Sequence, residues 1–298
     1  MQQTTPKFRT RTGRRAGAAV ALLASTLVLI VGAAPAFAAP GRAYVTNPGL
    51  DSVSVVDTAT NVVLTTIPVG DRPADLAVTP NGARVYVVNE GSNTVSVIDT
   101  ATNTVMATVP VGFNPRSVTI TPDGTRAWVT RQGATEIIDT ASNTVVGTVT
   151  ALPFSLDVAF SPDGARAYGT GQDTLVVVDT ATLTVVAERP VGHSPSVVEV
   201  SRDGSRVYVD GFRDLRVFDT ATNTQLQNVT LPSEALDFVL SPDGTRVYVA
   251  QYFPGSVLVL DATTLAALAT VPIGKPRVGA GRLPVGRPGL RRRGPGDV

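Results

Sequence analysis

The chain has 298 residues, 43% of them apolar, with 25 basic and 24 acidic side chains, one histidine and no cysteine. That length and apolar content allow a large core, while the missing cysteines and the single His193 exclude disulfide scaffolds, thiol nucleophiles and histidine-rich zinc or haem sites. The near-zero net charge hides an uneven distribution: residues 39–274 hold 13 arginines and 23 acids, a body that repels nucleic acid.

In chain order, residues 1–38 read as an export signal. Lys7, Arg9, Arg11, Arg14 and Arg15 precede an apolar run from Ala16 to Ala34, and Ala36-Phe37-Ala38 is a small-x-small site with cleavage expected after Ala38. The flanks of Arg14-Arg15 are poor for twin-arginine export, which favours the general secretory route. The expected location is secreted, periplasmic or at the cell surface, with no membrane anchor after cleavage.

Residues 39–274 are one unit repeated. Asp57-Thr58-Ala59-Thr60-Asn61 recurs from Asp99, Asp139, Asp179, Asp219 and, weakened, Asp261, at intervals of 42, 40, 40, 40 and 42 residues. A fixed period in this range means a solenoid or a propeller. A second signature, Thr79-Pro80-Asn81-Gly82, recurs from Thr121, Ser161, Ser201 and Ser241. Pro fixes φ, Asn or Asp bonds its own backbone, and Gly takes the positive φ that closes a hairpin, so both signatures are turns between strands. Short β-branched runs flank them, such as Val53–Val56, Val95–Ile98 and Val176–Val178. Each unit therefore has four strands, A to D, and four antiparallel strands per 40 residues make a propeller blade. The fold class is all-β, with six recognisable units and no helical period after the signal.

Tyr44-Val45-Thr46-Asn47, Tyr86-Val87-Val88-Asn89, the Asp-Thr-Ala-Thr-Asn turns and the Val-Gly-x-x-Pro connectors at Val69, Val111 and Val191 resemble the YVTN-type β-propeller repeats of bacterial and archaeal surface and periplasmic proteins. The resemblance implies a secreted propeller, commonly of seven blades, and assigns no activity. A seventh unit is lost or truncated here: residues 275–298 are rich in Gly, Pro and Arg, and read as a disordered tail or as a frameshifted remnant. Back-translated with suitable synonymous codons and read one base later, Leu283–Arg293 gives Ser-Pro-Ser-x-Asp-Arg-Val-Tyr-Val-Ala, in phase with the unit that starts at Ser241. The inner strand of the first unit is also missing before Pro40, so the ring closes with six blades or stays open.

Antiparallel order puts both repeated turns on one face and the B–C loops and D–A connectors on the other, where binding residues usually concentrate. The ligand-binding candidates there are Arg72, Asp75, Phe113, Arg116, Phe154, Asp157, His193, Phe212, Asp237, Tyr252 and Phe253. Asp75, Asp157 and Asp237 occupy one position in alternate units at the start of the inner strand, a weak candidate ring for Ca²⁺, which takes oxygen ligands. The five aromatics are a candidate platform for a sugar, peptide or protein.

No serine elbow or phosphate loop occurs, and no cofactor is expected. The sequence favours a secreted or cell-envelope binding scaffold that is not an enzyme, monomeric, with an extracellular protein, peptide or saccharide as ligand. A lactonase-like or other hydrolase using Asp157, His193, Glu234 and Arg116 is the alternative. Nucleic-acid binding through the basic tail, or through the arginines and aromatics of the loop and connector face, is the third reading.

Overall fold

The computed structural model describes residues 41–152, 156–252 and 255–273. Residues 1–40, with the expected export signal and its Ala38 site, residues 274–298, Phe154 and Phe253 lie outside the described residues. Strands β1 (Arg42–Asn47), β2 (Ser52–Asp57) and β3 (Val62–Pro68) make the first sheet. The second holds β4 (Pro73–Val78), β5 (Arg84–Asn89), β6 (Thr94–Asp99) and β7 (Thr104–Pro110); the third holds β8 (Pro115–Ile120), β9 (Arg126–Arg131), β10 (Ala134–Asp139) and β11 (Thr144–Val149). The fourth is β12 (Val158–Phe160), β13 (Arg166–Thr170), β14 (Thr174–Asp179) and β15 (Thr184–Pro190), and the fifth is β16 (Val198–Val200), β17 (Arg206–Asp210), β18 (Asp214–Asp219) and β19 (Gln225–Thr230). The sixth is β20 (Ala235–Leu240), β21 (Arg246–Gln251), β22 (Ser256–Asp261) and β23 (Ala267–Pro272). Every pairing is antiparallel between consecutive strands, as β4 with β5 and β5 with β6. The first sheet has three strands because β1 corresponds to strand B of the other units.

The repeated residues make the turns that the sequence predicts. Asp57 Oδ1 accepts the backbone N–H groups of Ala59 (2.9 Å) and Thr60 (2.8 Å) and the Thr60 hydroxyl (3.0 Å), and Asn61 closes the turn at φ 57°. These bonds hold the aspartate pKa values below the usual range; for Asp179 the Thr182 bonds lead, Arg166 adds to them, and the value falls to about 2. In the other turn Thr79 Oγ1 donates to Asn81 Oδ1 (2.7 Å) and accepts the Arg84 N–H (3.0 Å). A threonine then ties the two turns of a sheet together: Thr100 Oγ1 donates to the Gly82 carbonyl (2.6 Å) and Thr140 Oγ1 to the Gly124 carbonyl (2.7 Å). Both signatures thus share one face. Thr140→Val keeps the shape and removes this bond, so it should cost about 1 kcal/mol in chemical denaturation; an unchanged midpoint would show the tie to be idle.

The core is divided among the joints. Tyr44, Val53, Val55 and Ile67 of the first sheet pack with Val85, Val87 and Ile98 of the second, and four further clusters repeat this pattern up to the joint between the fifth and sixth sheets. Side chains alternate along each strand, so one face of every sheet meets the sheet before it and the other the sheet after. Arginines cross the joints on the turn side: Arg42 Nη1 donates to the Thr100 carbonyl (2.7 Å), Arg126 Nη1 to that of Thr180 (3.2 Å), and Arg84 to that of Thr140. Arg166 breaks the series and pairs with Asp179 of its own sheet.

Candidate functional site

The first strands of successive sheets lie against one another, β4 on β8, β8 on β12 and β12 on β16, so they form the inner wall. Carboxylates stitch this wall across the joints. Asp75 Oδ2 accepts the Val118 N–H (3.0 Å), Asp157 Oδ2 the Val198 N–H (3.2 Å), and Glu199 Oε2 the Leu240 N–H (2.6 Å). Burial raises Asp75 to about 6 and Asp157 to about 7 against the downward pull of those N–H groups, with the negative charges of Asp75 and Asp237 adding to Asp157. Glu199 rises to about 7 for the same leading reason, with Asp157 and Asp237 contributing. Asp237 is the exposed member, on the side of the sixth sheet away from the fifth.

This arrangement differs from the carboxylate ring that the sequence suggests for Ca²⁺. Asp75 and Asp157 spend oxygens on the next sheet's backbone, and among the described residues no three acidic or histidine groups are placed to hold a metal ion. Glu199 escaped the sequence reading because it lies two residues further along the strand than the aspartates. Asp210, the last residue of β17, is 1% exposed and accepts the Ser196 N–H (2.7 Å), the Val197 N–H (2.7 Å) and the Ser196 hydroxyl (2.6 Å). It stands where Thr130 and Thr170 receive the same strand-start N–H groups, a structural acceptor rather than a site.

On the loop and connector face, residues of the second and third sheets and the connectors that lead into them converge on Glu90. Arg72 approaches it at 3.1 Å and Arg116 at 3.4 Å, and with its amide turned Asn114 donates to Glu90 Oε1 (2.9 Å) while accepting from Arg116 (3.1 Å). Asp51 of the preceding sheet's loop accepts the Arg72 N–H at 2.8 Å. The arginine side chains remain 67% and 48% exposed, and the adjacent Phe113 is 69% exposed. Glu90 itself was not among the sequence candidates.

The remaining candidates are dispersed. His193 is almost fully exposed and meets Asp173 at 3.4 Å, Phe212 and Tyr252 are exposed on the fifth and sixth sheets, and the backbone carbonyl of Glu234 accepts the Tyr252 N–H (3.0 Å). His193 and Arg116 therefore find partners outside the proposed hydrolase set. Phe113, Phe212 and Tyr252 are exposed on different sheets, and the ring contact among the described residues joins Trp128 to Phe160.

Two clefts open on the opposite, turn-bearing face at equivalent joints: about 470 Å³ beside Asp203, Arg206 and Asp243, and about 210 Å³ beside Asp123, Arg126 and Asp163. Their polar walls are already bonded within the repeat, as Asp203 to Ser201 and Ser205, which marks them as seams.

A family model described as a YNCE-like beta-propeller matches residues 12–151. No curated protein matches the chain. Among solved structures, a chain of Kuenenia stuttgartiensis hydrazine synthase is similar at 23% identity and TM-score 0.67, over 78% of this chain and 84% of that one. The Cps50 (Swd1) beta-propeller domain of Myceliophteria thermophila is similar at 11% identity and TM-score 0.70, over the same shares. The fold is a β-propeller. Its sheets are blades, the carboxylate-stitched wall surrounds the propeller axis, and the Glu90 cluster lies at the first three blades on the face opposite the repeated turns. At these identities the neighbours speak for the fold and not for an activity.

Proposed function

We propose that the chain is an exported propeller that binds an extracellular protein, peptide or saccharide without converting it, through the face made by its B–C loops and D–A connectors. The observation that carries this reading is the Glu90 cluster. Two half-exposed arginines, held by one glutamate and flanked by the open ring of Phe113, offer charge, hydrogen bonding and apolar area together. They are set on a rigid scaffold and belong to residues that the repeat does not need for folding. The cell envelope or its surroundings as location rests on the export signal.

An array of bacterial cell-surface saccharides and envelope-protein peptides, probed with the full chain, tests this. Saturable binding to a probe is expected, weakened at least tenfold (about 1.4 kcal/mol) by Phe113→Ala with Arg116→Ala and unchanged by Asp203→Asn with Asp243→Asn on the turn face. Loss of binding only in the turn-face variant, or turnover of a bound probe, would overturn the reading.

A further inference from the structure

The cluster on the loop face has its hydrogen-bonding groups unevenly engaged. Glu90 Oε2 takes Arg72 (3.1 Å), Glu90 Oε1 takes Arg116 (3.4 Å) and the turned Asn114 amide (2.9 Å), and Asn114 in turn accepts from Arg116 (3.1 Å). Asp51 and Asn93 are engaged as well, accepting the backbone N–H of Arg72 and of Asn114, each at 2.8 Å. Arg131 is occupied by Glu136 (2.7 Å), which also accepts the Gly112 N–H (3.1 Å). These acceptors are in use. A guanidinium, by contrast, carries five N–H donors, and among the described residues Arg72 directs one of them at a partner and Arg116 two.

Two large apolar side chains flank the arginines. Leu50, next to Asp51, is 76% exposed, and Phe113, next to Asn114, is 69% exposed. The connectors that carry the patch are held rigidly. Arg72 and Asn114 have φ of 51° and 57° directly before Pro73 and Pro115, a conformation that the side chain and the following proline both disfavour. The bonds from Asp51 and Asn93 keep them there, so a ligand finds these tips already ordered.

We propose that this patch recognises a protein partner through an extended peptide segment in which a single carboxylate side chain lies between apolar residues; this deepens the binding function given above and rests on it. A carboxylate accepts and does not donate, which matches two partly engaged guanidiniums, and the planar fork of Arg116 can receive it in a bidentate pair. Saccharide hydroxyls call for acceptors as well as donors, and the acceptors here are already taken. Apolar residues on either side of the acid reach Leu50 and Phe113, contacts that an acidic sugar cannot make. One acid rather than a tract follows from the surrounding charge. Residues 39–274 carry 13 arginines against 23 acids, and Asp71 is exposed at the tip beside Arg72, so each further carboxylate is repelled.

The test selects phage-displayed random dodecapeptides on the immobilised full chain, after removing those that also bind a chain carrying Leu50→Ser with Phe113→Ser. The survivors should be enriched at least about threefold over the library in segments with one Asp or Glu flanked by apolar residues. In calorimetric titration, changing that acid to its amide should weaken binding at least about tenfold. In a chain carrying Arg72→Gln with Arg116→Gln, acid and amide peptides should bind within about twofold of each other. All four changes are at exposed positions, so Tm should stay within about 2 °C of the native chain.

Selected peptides without the acid, an acid-to-amide change that leaves binding unaltered, or discrimination that survives loss of both arginines would overturn the proposal. An oligogalacturonate that binds through these arginines while no peptide is selected overturns it too, and leaves the binding function of the face standing. If neither peptides nor the saccharide array bind this face, both readings fall.

Discussion

Glu199→Gln should raise Tm by about 4–8 °C at pH 7.5 and leave it unchanged at pH 4.5. The glutamine keeps an oxygen for the Leu240 N–H and removes the charge that burial and the nearby Asp157 and Asp237 make costly. With a folded pKa of about 7, the penalty of ionising Glu199 is on the order of 2–3 kcal/mol. The direction follows from proton linkage. As pH rises from about 4 toward 7, the unfolded chain releases the protons that folded Asp75, Asp157 and Glu199 retain, so stability falls through that window and levels off above it. The turn aspartates act in the opposite direction. Asp179, Asp203 and Asp243, held near 2, stay ionised while the unfolded chain takes up protons, so stability also falls as pH drops from about 4 toward 2. The wild-type protein should therefore be most stable near pH 4–5, and thermal melts across pH 2.5–8 read this directly. A flat profile between pH 4 and 7.5, or a Glu199→Gln gain equal at both pH values, would sink the account.

Trp128→Ala should be the most damaging single truncation in the core. Trp128 is fully buried between the third and fourth blades and stands edge-on to Phe160, 5.4 Å between centroids at 87°. Removing it leaves a cavity at a joint that cannot collapse without moving a whole blade, a loss of about 3–5 kcal/mol. Trp128→Tyr should lose much less. In the second and fifth blades this position is a tyrosine whose hydroxyl donates across the joint, Tyr86 to Asn143 Oδ1 (2.8 Å) and Tyr208 to the Ala262 carbonyl (2.8 Å), whereas the Tyr44 hydroxyl of the first blade has no partner among the described residues. Among the described residues the Trp128 Nε1 has no partner, so a tyrosine trades apolar volume for a satisfied donor. Urea denaturation of the two variants separates these outcomes; equal losses would mean that volume alone matters at this joint.

What the sequence made legible was whatever acts within one unit. The Asp57 and Asn81 turns and the strand alternation follow from local rules of φ, hydrogen bonding and period, and the structure has them. Interactions between units were opaque. The arginine that follows each Pro-Asp-Gly turn recurs visibly, but Arg84 and Arg126 donate to backbone carbonyls more than fifty residues away, and a carbonyl leaves no mark in the sequence. Glu199 was missed for a related reason: a charged residue in a short strand reads as exposed until the neighbouring blade is set against it. The candidate site was legible as a face and not as a cluster. Arg72 and Arg116 stood out as non-repeated charges, while Glu90, which gathers them, is one loop residue among many.

Dividing the apolar interior into five separate joints has a consequence for how damage spreads. A blade touches only its two neighbours, so the energetics approach a one-dimensional chain of nearest-neighbour couplings. A lesion at Phe218 weakens the coupling of the fourth and fifth blades and leaves that between the first and second untouched. Among the described residues the first and sixth blades each share one core cluster with a neighbour, and the third and fourth share one on both sides, so opening is expected to begin at the former and order to persist longest in the latter. The Arg72, Glu90 and Arg116 group spans the joint between the second and third blades, so a ligand that bridges those arginines would also strengthen that one coupling.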